Sequence, residues 1–595
     1  MPVEQLRVHR GGLAAEKRNE LRGEVDFSQT GHHLSRIRGD FQTRLPAYPH
    51  LSITADVALH NRNDLLRALG AEVPKAPSAP DDSELLLAAY AKWGEDCANF
   101  LLGEFAFAIW DDRLKRLFCC RDHIGFRAFL YWRSRSRLIF AGNLRSILEC
   151  DGVPLELNRR KLAGLAVLSG EHVHHEETFH AGILSLPPGA WMMVERDRAR
   201  KQKYWEPKAG EGPAVPQRTD EAFEALREIL FRAVECRLDP DYPVAVLLSG
   251  GLDSSAIVSI AARCLEKRNR QLTTISAVLP EESRPQFADE RDYIDEFRTW
   301  PNVRMEYVTA SGRGPFDSLN DLSRFAAFPT INSRRYLNEE CEKAAISHGA
   351  RTLLWGVGGE FGPTVRNERY YLELAIGLRW AALTRELGKN RQNVSPMRAL
   401  ARQFLNTLFP CRGNRPMAFL APGFMREHDA RPAWKDHSTS QRRYQAASFR
   451  YWLSKHSVAR GQPVTLIPPS FPLLDKRVLE FCLALPASLA TRDGYQRYLI
   501  RGALDRLLPR PIQLRSNKIP FSPDYFVRYN AQLETARDFV AAIGPKDPVR
   551  SVVDVEKLGK LLLPVDAAGS EATRDQVPVT IYTICFLRQF ADFRP

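Results

Sequence analysis

The chain has 595 residues, of which 44% are hydrophobic and 26% charged, and its formal net charge is +13. This composition predicts a globular protein of about two to four domains with large buried cores. No run of about 18 apolar residues occurs, so we expect no membrane span, and the amino terminus lacks the apolar core of a signal peptide.

The charge and the cysteines narrow the class further. The basic residues are spread along the chain and accompany no recognisable binding motif, so nucleic-acid binding is not expected. The ten cysteines are scattered without CxxC spacing. This pattern is typical of a reducing cytoplasm and gives no zinc site.

Two parts of the chain differ in their patterns. Residues 1–205 predict short strands and turns, as in "LSITADVALHNRNDLLRAL" and "FLLGEFAFAIWDDRLKRLFCCRDHIGFRAFLYW". The Pro- and Gly-rich residues 206–218 predict a linker. In residues 219–595 strands alternate with helices, which predicts a parallel α/β sheet, and a mostly helical stretch follows from about Thr364 to Arg460.

A glycine turn marks the second part. The strand "YPVAVLL" ends in "SGGLDSS" (Ser249–Ser255), which opens the helix "SSAIVSIAARCLEK". Glycines allow close approach to a ligand, and the helix amino terminus and the serine hydroxyls supply hydrogen-bond donors that suit a phosphate or pyrophosphate. An acid would repel phosphate, so Asp253 makes sense if it holds Mg²⁺ against the phosphate oxygens. A turn with a capping serine and no ligand is the alternative.

The motif S-G-G-x-D-S-[ST] resembles the pyrophosphate loop of the ATP pyrophosphatase group. Four further segments are similar to asparagine synthetases, in order and at sensible spacing. They are "LLGEFAFAIWDDRLKRLFCCRDHIGFRAFLYW", "LSLPPGAWMMV", "FPLLDKRVLEFCLALPASL" and "YLIRGALDRLLPRPIQLRSNKIPFSPDY". The resemblance implies a degenerate glutaminase-like, β-rich Ntn-type domain over 1–205 and an ATP-dependent amide-forming α/β domain over 219–595.

The resemblance also implies roles for single residues. The loop residues would bind the pyrophosphate of ATP, and the adenosine would lie against Leu248, Ala277 and Gly356. Lys518 matches the catalytic lysine of the family and would stabilise the transition state. The residues that would bind ATP are Leu248, Ser249, Gly250, Gly251, Leu252, Asp253, Ser254, Ser255, Ala277 and Gly356.

Two departures in "WGVGGEFG" separate the chain from asparagine synthetases. Glu360 stands where a magnesium-binding Asp is expected, and it still offers a hard oxygen ligand beside Asp253. Val357 replaces a residue that handles the amine nucleophile, and a valine cannot accept a proton. The nucleophilic cysteine that begins those enzymes is not matched either, because Pro2 follows Met1 and the first cysteine is Cys97.

The sequence leaves the roles of an acidic pair and of a histidine-rich segment undecided. Asp289 and Glu290 could orient the ribose, the metal or the amine, or they could be acids at the start of a helix. The histidines of "GEHVHHEETFH" (His172, His174, His175 and His180) are more simply loop residues than metal ligands.

These departures favour lasso-peptide cyclases within the superfamily. The expected reaction adenylates an Asp or Glu side chain of a cleaved precursor peptide with ATP and Mg²⁺, and the peptide's own amino terminus then closes a macrolactam. The expected partners are that peptide, a leader-removing protease and a leader-binding protein. The alternatives are an ammonia-dependent asparagine synthetase, a β-lactam synthetase and a non-enzymatic ATP-binding scaffold.

Overall fold

A computed structural model gives the structure of the chain, and the residues it describes are 21–26, 36–39, 45–72, 79–164, 176–212, 215–216, 218–284, 286–317, 319, 332–389, 396–409, 419–427, 436–456, 466–492, 495–516, 522–565 and 571–589. Among these residues no helix is both long enough and apolar enough to cross a membrane.

The amino-terminal part contains ten strands and five helices in its described residues. The strands are β1 (Arg22–Asp26), β2 (Arg36–Gly39), β3 (Leu51–Leu59), β4 (Gly103–Asp111), β5 (Arg116–Arg121), β6 (Leu130–Arg133), β7 (Arg137–Ala141), β8 (Ile183–Ser185), β9 (Ala190–Val194) and β10 (Ala199–Lys203). The helices are α1 (Arg62–Leu69), α2 (Asp82–Trp93), α3 (Cys97–Phe100), α4 (Leu144–Leu148) and α5 (Arg159–Gly164).

These strands form two antiparallel sheets, β2-β1-β7-β6-β8 and β10-β9-β5-β4-β3. Strand β4 reads apolar at nearly every position because both of its faces are buried. Phe105 and Phe107 pack in the cluster that contains α2, whereas Ala106 and Ala108 pack in the cluster between the two sheets. Helix α4 covers the outer face of the first sheet, so the domain has four layers.

The second part contains seven strands and sixteen helices in its described residues. The strands are β11 (Val244–Leu247), β12 (Leu272–Ala277), β13 (Val303–Val308), β14 (Leu353–Leu354), β15 (Pro469–Ser470), β16 (Thr491–Arg492) and β17 (Tyr495–Gln496). The helices are α6 (Thr219–Glu235), α7 (Leu252–Glu266), α8 (Arg291–Ile294), α9 (Arg335–Ser347), α10 (Tyr370–Ile376), α11 (Trp380–Gly388), α12 (Pro396–Leu408), α13 (Pro422–Glu427), α14 (Gln441–His456), α15 (Lys476–Ala484), α16 (Tyr498–Ala503), α17 (Arg510–Leu514), α18 (Tyr525–Ala531), α19 (Leu533–Ala541), α20 (Val555–Leu561) and α21 (Glu571–Gln589).

Five of these strands form the predicted parallel sheet, in the order β13-β12-β11-β14-β15. Helices α6 and α7 pack on one face, and α9 packs on the other. Helices α10 to α14 lie in the stretch that the sequence predicts to be helical. The strand order reverses at β11, so the turn that follows β11 lies at the point where such sheets bind ligands.

The two parts meet along residues 470–480. Ser470 donates a hydrogen bond of 2.5 Å to Glu104 Oε1 across the junction, and the indole of Trp205 donates one of 2.8 Å to Glu480 Oε1. The ring of Phe471 packs edge-on against Phe126, with centroids 5.3 Å apart. Most of these groups are buried, so the amino-terminal domain seals one side of the synthetase-like domain.

A buried carboxylate organises the same segment. Asp475 accepts hydrogen bonds from Arg237 at 2.8 Å and from Arg477 at 2.9 Å, and it also caps the start of α15. Burial alone would raise the pKa of Asp475, but the two guanidinium groups hold it well below its usual range. His60 and Cys236 lie close by, but the two arginines already satisfy this carboxylate, so the cluster is an ion-pair network and a poor metal site.

Removing this carboxylate should destabilise the protein strongly. In Asp475→Ala the buried guanidinium of Arg237 and the half-buried one of Arg477 lose their counter-charge, and we expect the free energy of unfolding to fall by about 3–5 kcal/mol. Urea unfolding would measure the change. The control Asp64→Ala removes an exposed carboxylate that pairs with Arg67, and it should change stability by less than about 0.5 kcal/mol. Equal effects in the two variants would contradict this role of Asp475.

Candidate active site

The glycine turn lies between β11 and α7, as the sequence predicts. Gly250 has a φ of +66°, and a side chain there would press against Tyr293, which a Cβ atom would approach to 2.9 Å. The hydroxyl of Ser254 accepts a hydrogen bond of 3.1 Å from the Ser249 amide and donates one of 3.3 Å to the Gly251 carbonyl. The turn therefore closes on itself at the amino terminus of a fifteen-residue helix.

The segment that follows β14 packs directly against this turn. A Cβ atom on Gly356 would lie 2.7 Å from the Ser254 amide nitrogen, and one on Gly359 would lie 1.9 Å from Asp253 Oδ1. The hydroxyl of Thr364 donates a hydrogen bond of 2.6 Å to the same Asp253 oxygen. A side chain at position 356 would therefore push the two backbones apart, and one at position 359 would displace the side chains of Asp253 and Thr364.

A cavity of about 910 Å³ opens at this point. Eight of the ten residues predicted to bind ATP line it, namely Leu248, Ser249, Gly251, Leu252, Asp253, Ser254, Ala277 and Gly356. Of the other two, Gly250 contributes its carbonyl to Arg515, and Ser255 is fully buried beneath the turn. Val357 also lies in the cavity wall.

The predicted catalytic and metal-binding residues have different placements. Asp253 is half-buried at the cavity, while Glu360 is exposed in a short 3-10 helix (Gly359–Phe361). Burial lowers the pKa of Arg497, and the negative charges of both carboxylates oppose that shift. Both carboxylates offer the hard oxygen ligands that Mg²⁺ prefers, but only Asp253 lines the cavity, so a Mg²⁺ ion shared by the two stays a prediction. Lys518 lies outside the described residues, and its role stays a prediction.

The two acids that follow β12, Asp289 and Glu290, make different contacts. Asp289 accepts hydrogen bonds from the amides of Leu279 and Arg291, so it orders the start of the short helix α8. Glu290 accepts a hydrogen bond of 2.6 Å from Arg515, and Arg515 donates another of 2.9 Å to the Gly250 carbonyl. The ion pair between Glu290 and Arg515 therefore supports the glycine turn, and both residues also line the cavity.

The predicted histidine cluster divides. His172, His174 and His175 lie outside the described residues. His180 is buried, and burial lowers its pKa to about 4. This imidazole is therefore neutral at physiological pH, and its ring packs edge-on against Phe586.

Arg497 is a site residue that the sequence does not reveal. It lines the cavity in a left-handed conformation, with a φ of +57°, and its guanidinium makes no hydrogen bond or ion pair within the described part of the chain. Burial lowers the pKa of Arg497, and the charges of Arg366 and Arg515 add to this effect. Asp253 and Glu360 work against it. A strained cation that lines the cavity and is unpaired within the described residues is suited to bind a polyphosphate.

Two protein-family models match the chain. Residues 225–585 match the family model described as "Asparagine synthase". The chain belongs to the asparagine synthase family. Residues 47–205 match the model described as "Glutamine amidotransferase domain", so the order of the two domains is as predicted. The boundaries at 205 and 219, and the linker between them, stay predictions.

Curated relatives of the chain are named asparagine synthetases and amidases. Asparagine synthetase [glutamine-hydrolyzing] 3 of Bacillus subtilis is 33% identical over 215 residues, which cover 36% of this chain and 34% of that protein. Amidase chry2 of Gibberella zeae is 31% identical over 33% of this chain and 29% of that protein. Amidase chyE of Penicillium rubens is 22% identical over 75% and 73%. The first matches thus span about a third of each relative.

Three cysteines of the amidotransferase-like domain lack the features of a catalytic thiol. Cys97, Cys119 and Cys120 are fully buried, and burial raises the pKa of each thiol above its ordinary value. A thiol needs to be ionised to attack glutamine. These three cysteines therefore contribute to packing and are unsuited to catalysis.

Adding a methyl group at Gly359 should disrupt the site. In Gly359→Ala the new carbon would collide with the Asp253 carboxylate, and overpacking of this kind costs about 1–3 kcal/mol, so ATP should bind about tenfold more weakly. Isothermal titration with ATP and Mg²⁺ would measure it. Gly388→Ala is the control, since nothing lies within 4 Å of a Cβ atom there. Unchanged ATP affinity in Gly359→Ala would refute the close approach.

Removing the charge of Arg497 should weaken nucleotide binding without unfolding the protein. Arg497→Gln keeps much of the side-chain length but loses the charge, and a charge-assisted hydrogen bond contributes about 1.5–3 kcal/mol. We therefore expect about tenfold weaker ATP binding. Arg492→Gln removes an exposed arginine of the same hairpin and should leave binding unchanged. If both variants bind ATP equally well, Arg497 is not a ligand of the nucleotide.

Proposed function

We propose that the chain is a ligase that activates a carboxylate with ATP and joins it to an amine. The observation that carries this proposal is the cavity formed where the glycine turn, the Gly356–Gly359 segment and Arg497 meet. The turn offers amide donors at a helix amino terminus, which favour an anion. Membership of the asparagine synthase family supports the same reaction class.

The chain's own residues would divide the work of the first step. The amides and hydroxyls of the turn would bind the β- and γ-phosphates, and Arg497, which also lines the cavity, would bind the same group. A substrate carboxylate oxygen attacks the α-phosphorus, and pyrophosphate leaves with the bonding electrons. Asp253 and Glu360 would hold Mg²⁺, which would neutralise negative charge on the phosphate oxygens.

The second step forms the amide. The amine attacks the activated carbonyl carbon, AMP leaves, and the amine loses one proton. Lys518 would stabilise the negative charge that develops at the phosphate and the carbonyl oxygen. Val357 in the cavity wall cannot take the proton, so the residue that handles the amine in asparagine synthetases has no equivalent at this position.

We further propose that the substrate is a peptide, and that the protein is a lasso-peptide cyclase. The cavity extends from the turn to Arg366, Glu368 and Arg402, and its volume of about 910 Å³ is near the upper end of ordinary small-molecule sites. This room supports a substrate larger than aspartate. The carboxylate activated by ATP would be an Asp or Glu side chain of a cleaved precursor peptide, and the amine would be the amino terminus of that peptide. A leader-removing protease and a leader-binding protein would act with the enzyme.

The relatives support a second candidate. Several are named asparagine synthetases, so an ammonia-dependent asparagine synthetase is the main rival, with a β-lactam synthetase behind it. The altered positions Val357 and Glu360 favour the peptide cyclase over both. A non-enzymatic scaffold would bind ATP and release no pyrophosphate.

Exchange of labelled pyrophosphate into ATP tests the reaction. The purified protein with Mg²⁺ should catalyse exchange with leader-free acidic peptides and not with aspartate. In Asp253→Ala exchange should fall below detection, because the carboxylate at the turn is lost. Asp241→Ala, an exposed position before β11, should keep full exchange.

Three results would change the assignment. Exchange stimulated by aspartate would restore an asparagine-type synthetase, and exchange stimulated by a small β-amino acid would indicate a β-lactam synthetase. Full activity in Asp253→Ala would refute the role of the turn. Nucleotide binding measured in parallel identifies a scaffold, since a scaffold binds ATP without any exchange.

A further inference from the structure

Exposed apolar side chains concentrate in one short part of the molecule. Among the described residues 15 large hydrophobic side chains are exposed, and eight of them lie between positions 376 and 409. They are Ile376, Leu378, Trp380, Met397, Phe404, Leu405, Leu408 and Phe409. Single exposed apolar residues are ordinary, but a cluster on neighbouring helices marks a surface that binds something.

Helix α12 carries the core of this surface on its outer face. Met397, Ala401, Phe404 and Leu408 follow one another at spacings of four, three and four residues, so they form one continuous stripe. We name this stripe the apolar ridge. Met397 is 68% exposed, Phe404 52% and Leu408 50%. An ordinary surface helix would turn such a stripe toward the core.

The buried face of α12 is the more polar one. Gln403 is buried, and its amide donates to the carbonyl and the side chain of Asn367 at 3.1 and 3.0 Å. Its oxygen accepts a hydrogen bond of 3.1 Å from the Leu372 amide. Thr407 is buried on the same face. The orientation of α12 is therefore fixed by satisfied hydrogen bonds, and the ridge cannot turn inward without breaking them.

The ridge shares an edge with the active-site cavity. Arg402 lies on α12 between the ridge and the buried face, and it lines the cavity. Arg398 stands one turn earlier on the same side and is exposed. A molecule that occupies both the cavity and the ridge would therefore pass two guanidinium groups, which favour acidic residues.

We propose that the apolar ridge binds an acidic polypeptide segment with apolar residues at helical spacing. This rests on the proposed function in one respect: in a peptide cyclase the segment belongs to the peptide substrate, whose reacting carboxylate lies in the cavity. Apolar side chains of the segment cover Phe404 and Leu408, and its carboxylates pair with Arg398 and Arg402. The surface so removed from water supplies the affinity.

Other occupants fit the ridge less well. A second copy of the chain would use the same patch on both sides, and this would bring Arg398 and Arg402 close to their own copies. A bilayer could accept the apolar side chains, but it makes no use of the edge shared with the cavity. A peptide that leaves the cavity has to cross this edge.

Selection from a random library tests the ridge directly. An mRNA-display library of random 16-residue peptides would be selected against the full-length protein, and the enriched peptides would be measured by fluorescence anisotropy. We expect acidic sequences with apolar residues three and four positions apart. Their affinity should fall about tenfold or more in Phe404→Glu, and also in Leu408→Glu, as for central contacts of an interface.

The control adds the same charge elsewhere on the helix. Asn406 is exposed on α12 away from the ridge, so Asn406→Glu should leave the affinity unchanged. ATP binding should be equal in all variants, which shows that they are folded. Enrichment of no such peptides, or equal binding to Phe404→Glu and Asn406→Glu, would overturn the proposal.

Two further measurements identify the rival occupants. Flotation with phosphatidylcholine–phosphatidylglycerol vesicles that is lost in Phe404→Glu would overturn the proposal in favour of a membrane. A dimer by light scattering that Phe404→Glu dissociates would overturn it in favour of self-association. Ridge-dependent peptide binding without any ATP–pyrophosphate exchange would support the ridge and refute the cyclase, so the two proposals fail separately.

Discussion

The close approach of two segments at the end of the parallel sheet is the constraint on which the candidate site depends. The segment after β14 lies so near the amino terminus of α7 that Gly356 and Gly359 leave no room for a side chain. This contact brings Thr364 to Asp253 and sets the direction of the carboxylate. The glycine turn is therefore shaped by its neighbour as well as by its own glycines.

The carboxy-terminal third of the chain supports the same turn from the other side. Arg515 contacts the Gly250 carbonyl and pairs with Glu290, although 265 positions separate Arg515 from Gly250. Arg497 lines the cavity from its position between β17 and α16. The site is thus assembled from distant segments that only the complete domain brings together.

Sequence patterns predict the parts of this molecule in which local chemistry and position agree. The turn Ser249–Ser255 follows an apolar strand and opens a helix, so its placement and its ligand class could be inferred from one motif. The parallel sheet follows from alternating strands and helices. The family follows from several segments in order, as the matching model over residues 225–585 confirms.

The remainder depends on contacts that no local pattern carries. A left-handed arginine such as Arg497 looks like any other basic residue, because its conformation is imposed by the surrounding fold. The stripe on α12 has the periodicity of a core helix, and only the structure reveals that Gln403 faces inward in its place. Glu290 and Arg515 could be paired only after the fold had joined them.

At the junction along residues 470–480, the amino-terminal domain covers part of the surface of the synthetase-like half. Phe471 and Ser470 contact Phe126 and Glu104. A synthetase-like half expressed alone would therefore expose a partly apolar, partly polar surface that favours association with other molecules. A domain that covers such a face limits the apolar surface that the synthetase-like half exposes, whether or not it carries out chemistry of its own. Separating the two halves at the predicted linker would therefore expose the junction to water.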